Sequence, residues 1–286
     1  MMPVRLVAID IDGTLVDSRG RIPGDNLAAI AETVAAGVHV ALVTGRSYPF
    51  AREVAGMLPP SVTIIASNGA VERTLDGHVV AQRLLARASA ATVLHHTRRF
   101  RAASALIFDR DTHGHVVAES MDWTHPQRQG YWDGREHLIG QATPLEAALT
   151  EDPVQVMFNG TVAEMRAVHA AVCDLPGISV FQTDYEHRDF ALVDVMAPEA
   201  TKGVALAARA ASLGIPAADV MAIGDNLNDL PMLEYAGLPV IMGNAVTALC
   251  ERGWTVTGRH DEAGVAMALR RHVLARVAAP GPSVVP

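Results

Sequence analysis

Two of the apolar runs in this chain end on carboxylates, and that placement defines the chemistry worth considering. The run Val4–Ile9 leads into Asp10-Ile11-Asp12-Gly13-Thr14. A short apolar run closed by a Gly-containing turn is how a parallel strand buried on both faces reads. Packing gives no reason for paired acids there, because carboxylates are seldom buried without a cation or donors. A plain polar strand exit, with Asp12-Gly13 forming a turn, is the simpler alternative. A second run, Val220–Ile223, ends on Gly224-Asp225-Asn226-Leu227-Asn228-Asp229. Two more, Val38–Val43 and Val62–Ala66, end on Thr44-Gly45-Arg46 and Ser67-Asn68-Gly69. Parallel neighbours deliver their C-terminal ends to one sheet edge. Asp10, Asp12, Thr44, Asn68, Asp225 and Asn228 would then converge. Acids crowded at one edge repel unless a metal joins them, and oxygen-only donors select a hard cation such as Mg²⁺.

Lys202 is the only lysine among 23 Lys and Arg residues. It opens a helix, where the dipole disfavours a cation. A compact ammonium suits a phosphoryl oxygen in a site too tight for a guanidinium fork; a chance survivor in an arginine-biased chain is the alternative. Carboxylates, a hard metal, a lysine and hydroxyl donors are what phosphoryl transfer requires. A phosphate dianion beside ionised Asp10 and Asp225 brings four negative charges. Mg²⁺ and Lys202 return three positive ones, which lets one carboxylate approach the phosphorus.

The elements that must hold these groups follow a βα rhythm. Helices are expected over 26–36 and from Pro49, then over 204–213 and 264–276, with strands at 239–242 and 254–257. Strand and helix alternating in this way indicate a right-handed parallel sheet, a Rossmann-like α/β core. Between 84 and 189 the rhythm breaks: a helix over 88–100, strands at 105–108 and 154–158, a helix over 162–173 and a hairpin over 181–195 suggest an inserted α+β domain. The expected division is 1–83 and 190–276 for the core, 84–189 for the insertion, and 277–286 for a Pro/Gly-rich disordered tail.

Composition narrows the function classes. With 286 residues, half of them hydrophobic, the chain can bury a large core. A net charge of −8 without a basic block argues against nucleic acid as partner. Cys173 and Cys250 lie far apart in no ligand spacing, which suits a reducing, cytoplasmic location. No apolar segment approaches the roughly 18 residues of a membrane span, and acids interrupt the first apolar run too early for a signal peptide.

Asp10-Ile11-Asp12-Gly13-Thr14, Thr44-Gly45-Arg46, Lys202 and Gly224–Asp229, in that order, resemble the four motifs of the haloacid dehalogenase superfamily. The resemblance is strongest to its Cof-type branch, Mg²⁺-dependent sugar-phosphate phosphatases with a large type IIB cap between the second and third motifs. Ser67-Asn68-Gly69-Ala70, Met242-Gly243-Asn244-Ala245 and Gly264-Val265-Ala266 are also similar to that branch. The resemblance implies that Asp10 is the nucleophile forming an aspartyl-phosphate. Asp12 would be the acid for the leaving alcohol and then the base for water. Thr44, Gly45, Lys202 and Asn228 would bind phosphate. Asp10, the Asp12 main-chain oxygen and Asp225 would hold the metal, with Asp229 orienting water or Lys202. Arg46 reads equally well as a simple ion pair. The cap would close over the site and read the leaving group; Asp184, Tyr185, His187 and Arg188 are its candidate contacts. His113 and His115 read as an exposed strand-turn, and Trp123 and Trp132 as cap core. The expected partner is a small phosphorylated metabolite bound by a monomer or weak homodimer. A phosphomutase of the same superfamily stays open, as does a phosphorylatable receiver-like module. Neither a second acid nor an insertion of about 100 residues is needed by a receiver.

Overall fold

The structure is a computed structural model describing residues 4–126, 128 and 133–275. The chain divides into two compact units, Met1–Ala81 with Thr201–Pro286, and Gln82–Ala200. In the first unit, β1 (Leu6–Ile9), β2 (His39–Val43), β3 (Thr63–Ala66), β4 (Val71–Thr74), β5 (Val79–Gln82), β12 (Val220–Gly224), β13 (Leu238–Ile241) and β14 (Thr255–Val256) form one sheet. Its order is β14-β13-β12-β1-β2-β3-β4-β5. All pairings from β14 to β3 are parallel, and β4 returns antiparallel to β3.

Strand β1 lies at the centre and is buried throughout. Its side chains alternate, as strand geometry demands. Val7 and Ile9 join Val40, Leu42 and Ile64 in one core cluster. Leu6 and Ala8 join Ala41, Val43 and Ile65 in another. Helices cover both faces: Gly24–Ala35 and Gly264–Leu269 lie over the first cluster, Lys202–Ser212 and Leu230–Tyr235 over the second. This is the double-sided burial that an uninterrupted apolar run signals. Register aligns the strand ends. Ile9 is opposite Ile223 on one side and Leu42 on the other, and Val43 is opposite Ile65. The residues just beyond these four strands are therefore placed at one level.

The second unit is built on β6 (Ser104–Ile107), β7 (Val116–Ala118), β8 (Ile139–Gln141), β9 (Gln155–Gly160), β10 (Ser179–Tyr185) and β11 (Phe190–Met196), in the order β10-β11-β9-β6-β7-β8. Helices Arg87–His96 and Val162–Val172 pack with Leu106, Phe158, Val193 and Val195 in its core. The second helix opens on a capping box in which Thr161 and Glu164 satisfy each other's backbone amides.

Three expectations are corrected. Segment 190–196, assigned to the core from sequence, is β11 and pairs with β10 and β9 inside the second unit. A hairpin read over 181–195 demands this, since its second strand cannot leave its partner. His115, expected on an exposed turn, is 2% exposed, with Nδ1 2.8 Å from the Phe108 carbonyl. Trp123 is half-buried and stands outside the second unit's core cluster. Trp132, the side chain of His187, and the tail expected over 277–286 lie outside the described residues. Among the described residues, no helix is long and apolar enough to cross a membrane.

Candidate active site

The centre of the site is the loop that leaves β1. The Asp10 amide donates to the Ile223 carbonyl at 3.0 Å, extending the β1–β12 ladder by one residue. The chain then turns sharply through Ile11–Leu15, with Gly13 at φ 78°. Only glycine fits at that position. A Cβ there would lie 2.2 Å from Asp225 Oδ2, and the left-handed backbone would strain any other residue. Thr14 Oγ1 donates to Asp225 Oδ1 at 3.3 Å. Two segments 211 residues apart thus meet through a missing side chain and a hydroxyl.

Lys202 is the second anchor. Thr201 caps its helix by accepting the Val204 amide, which sets Lys202 at the first helical position. Lys202 is 1% exposed, and its ammonium bridges two acids, at 2.6 Å to Asp10 Oδ1 and 2.5 Å to Asp229 Oδ1. Burial alone would lower its pKa, but Asp10 and Asp229 overcome this and hold the ammonium well above its ordinary value. Asp229 is fully engaged, because its other oxygen accepts the amides of Asp225 and Asn226 at 2.9 and 3.0 Å.

The carboxylates are less comfortable. Burial, reinforced by Asp229 and Asp225, raises Asp10 well above the usual range even against Lys202. Burial and then Asp229 push Asp225 up to about 7. Oxygens of Asp10, Asp225 and Asp229 lie within 4.8 Å of one another. Buried acids this close, sharing one ammonium, call for a further cation. With Asp229 committed to Lys202 and two amides, the oxygens left for it are those of Asp10 and Asp225. An all-oxygen donor set fits Mg²⁺.

The structure places the remaining expected residues with some differences. Thr44 is buried, and its hydroxyl accepts the Arg46 amide at 3.1 Å. Gly45 is exposed beside it. The side-chain amide of Asn228 donates to Asn68 Oδ1 at 3.4 Å. The Asp12 carboxylate stands apart from the acidic cluster. It is 58% exposed and gripped by Arg46, with Nε 2.8 Å from Oδ2 and Nη2 2.6 Å from Oδ1. Arg46 is thus an ion pair, and its partner is the proton-transfer candidate itself. Asp184, Tyr185 and Arg188 all lie in the second unit, Asp184 and Tyr185 at the end of β10 and Arg188 in the turn after it.

The sequence alone assigns no role to two asparagines, although Asn244 stands in one of the segments that carry the resemblance. Asn244 Nδ2 donates to the Gly13 carbonyl at 2.8 Å, while its oxygen accepts the His260 amide at 2.9 Å. Asn26, fully buried, donates to the Leu15 carbonyl at 3.1 Å and accepts the Ala266 amide at 2.9 Å. Together they tie the β1 loop to the segment around 260–266. The one sequence signal for Asn26 is a polar residue on the inward stripe of its helix, a stripe that also carries Thr33.

A family model described as haloacid dehalogenase-like hydrolase matches residues 7–269. The chain is 28% identical over 271 residues to the 5-amino-6-(5-phospho-D-ribitylamino)uracil phosphatase YcsE of Bacillus subtilis, covering 95% of this chain and 96% of that protein. It is 29% identical over 269 residues to a phosphoglycolate phosphatase of Methanothermobacter thermautotrophicus, covering 94% and 98% respectively. A solved haloacid dehalogenase-like hydrolase from Bacteroides thetaiotaomicron superposes with a TM-score of 0.80 at 23% identity, covering 94% of this chain and 99% of that one.

Proposed function

From the premise that the chain belongs to the haloacid dehalogenase-like hydrolases and is a phosphatase among them, we propose that it hydrolyses small phosphomonoesters with Mg²⁺ through an aspartyl-phosphate on Asp10. The observation that carries this reading is Lys202. Its buried ammonium holds one oxygen of Asp10 and leaves the other for attack.

In the first step the free Asp10 oxygen attacks phosphorus, and the bond to the leaving alcohol breaks. Asp12 supplies the proton that the departing oxygen takes. In the second step Asp12, now a carboxylate, takes a proton from water. The water oxygen bonds to phosphorus, and the bond to Asp10 breaks to release phosphate. Thr44, the Gly45 amide, Lys202 and Asn228 hold the phosphoryl oxygens, and Arg46 positions Asp12 at the exposed rim. Asp229 keeps Lys202 charged and aimed. Asp10, Asp225 and the Asp12 main-chain oxygen would hold Mg²⁺, which when bound offsets charge on the transferring phosphoryl group. The relatives named for a ribityl phosphate and for phosphoglycolate are comparably similar to this chain, which supports the class of substrate rather than one identity.

The test is phosphate release from p-nitrophenyl phosphate and a panel of sugar phosphates, with and without Mg²⁺. Metal-dependent release that disappears in Asp10→Asn is expected. Undiminished release in that variant would end the reading.

A further inference from the structure

The turn that ends β3 is the most strained backbone beside the site. Ser67, Asn68 and Gly69 follow one another at φ 47°, 51° and 106°. Left-handed backbone at successive non-glycine residues persists only where the surroundings impose it. Here they do. The Ser67 amide donates to the Arg46 carbonyl at 2.8 Å and the Asn68 amide to the Thr44 carbonyl at 2.9 Å. Gly69 is pressed so closely against Thr201 that a Cβ would lie 2.4 Å from its carbonyl oxygen. One turn therefore fastens the Thr44–Arg46 loop to the residue before Lys202.

A left-handed turn needs only glycine, and position 68 carries asparagine instead. Its side chain is 7% exposed and lies along Gly45. A Cβ on Gly45 would be 3.2 Å from Asn68 Oδ1 and 3.7 Å from Nδ2. Oδ1 accepts from Asn228 at 3.4 Å, and Nδ2 has no hydrogen-bond partner among the described residues. A donor without a protein partner, on a side chain that is mostly buried but keeps some access to solvent beside the phosphoryl pocket, can turn to an oxygen that only accepts.

We propose that Asn68 is a phosphoryl-binding residue whose side-chain Nδ2 donates to a substrate oxygen beside Gly45, with the strained 67–69 turn serving to aim it. The inference rests on the phosphatase reading above. Asparagine is the side chain that both tolerates the left-handed conformation and reaches across Gly45. Asn228, bonded to the opposite end of the same amide, fixes which end faces the phosphoryl group.

The test compares wild type, Asn68→Gly and Asn68→Asp as intact Mg²⁺-loaded proteins, titrating inorganic phosphate by calorimetry and measuring turnover of p-nitrophenyl phosphate and thermal midpoints. Glycine suits the backbone and removes the donor. Its midpoint should match or exceed wild type, while phosphate affinity falls about tenfold or more, the scale of one hydrogen bond to a charged group, and KM rises. Asn68→Asp keeps the shape, replaces the donor by a negative oxygen and should weaken phosphate further. Wild-type phosphate affinity in Asn68→Gly would overturn the proposal, as would a lowered midpoint with affinity unchanged. If wild type itself neither binds phosphate nor turns over ester with Mg²⁺, the phosphatase reading fails and this inference with it.

Discussion

Each unit carries a carboxyl group that burial pushes up to about 7, Asp225 in the first and Asp194 in the second. Their surroundings differ. Asp225 accepts one hydroxyl, lies against Gly13 and is within 4.8 Å of two further acids. Asp194 sits in β11 and accepts the side-chain amide of Gln155 at 2.7 Å, burial being its only cause of shift. A lone, half-buried acid with a neutral donor is satisfied by a proton. A cluster of acids around one ammonium is satisfied by a second cation. Similar perturbation thus arises from different arrangements, and only the arrangement identifies a site.

Breaking the cluster at Asp10, the proposed nucleophile, should have the largest effect. Asp10→Asn preserves volume and the contact with Lys202 but removes the attacking charge. Turnover should fall at least about a thousandfold, while the fold survives by circular dichroism. Lys202→Met comes next. It leaves Asp10 and Asp229 facing each other in the interior with no counter-charge. Breaking a buried pair in this way costs about 3–5 kcal/mol, which urea unfolding would register together with loss of activity. Lys202→Arg should not restore function, because the fork cannot enter a space where Nζ lies 2.6 and 2.5 Å from two carboxylates.

The βα rhythm made the core sheet legible, because strands buried on both faces are written as apolar runs and β1 has no exposed residue. Asp10 and Asp225 were legible because each stands at the end of such a run. The hidden features depended on contacts distant in sequence. Nothing near Arg46 indicates that its partner is Asp12, 34 residues away. Asn26 and Asn244 act through main-chain carbonyls, so their residue type carries no chemical signal. The strands β7 and β8 are three residues each, too short for a period to register. The boundary at 189 failed for a related reason: a turn residue such as Asp189 looks like a linker until its flanking strands are known to pair.

The metal sharpens the comparison further. In the absence of a cation, folded Asp225 keeps a proton that the unfolded chain releases above its ordinary value of 3.8. The folded state then binds more protons between about pH 4 and 7, so stability falls as pH rises through that window. Mg²⁺ held there as proposed would replace the proton, and its stabilisation would grow over the same interval. Mg²⁺ should raise the thermal midpoint more at pH 8 than at pH 5, with the change centred near 7. An equal rise at both pH values would remove Asp225 from the metal's donors.

Asp194→Asn gives the smallest effect and the cleanest contrast. Asparagine keeps an oxygen to accept from Gln155 Nε2, so the hydrogen bond survives. At pH 5 wild-type Asp194 holds its proton, and the variant should be equally stable. At pH 8 the wild-type carboxyl must ionise where burial opposes it, and asparagine need not. The variant should then be the more stable by on the order of 1–3 kcal/mol in urea unfolding. Its Mg²⁺-induced midpoint shift should equal that of wild type at either pH, because Asp194 is not one of the clustered acids. Asp225→Asn should likewise gain stability at pH 8 without metal, but it should lose the Mg²⁺ shift. If both variants lost the shift, the two raised carboxyls would belong to one linked system and the distinction between proton-satisfied and cation-satisfied acids would fall.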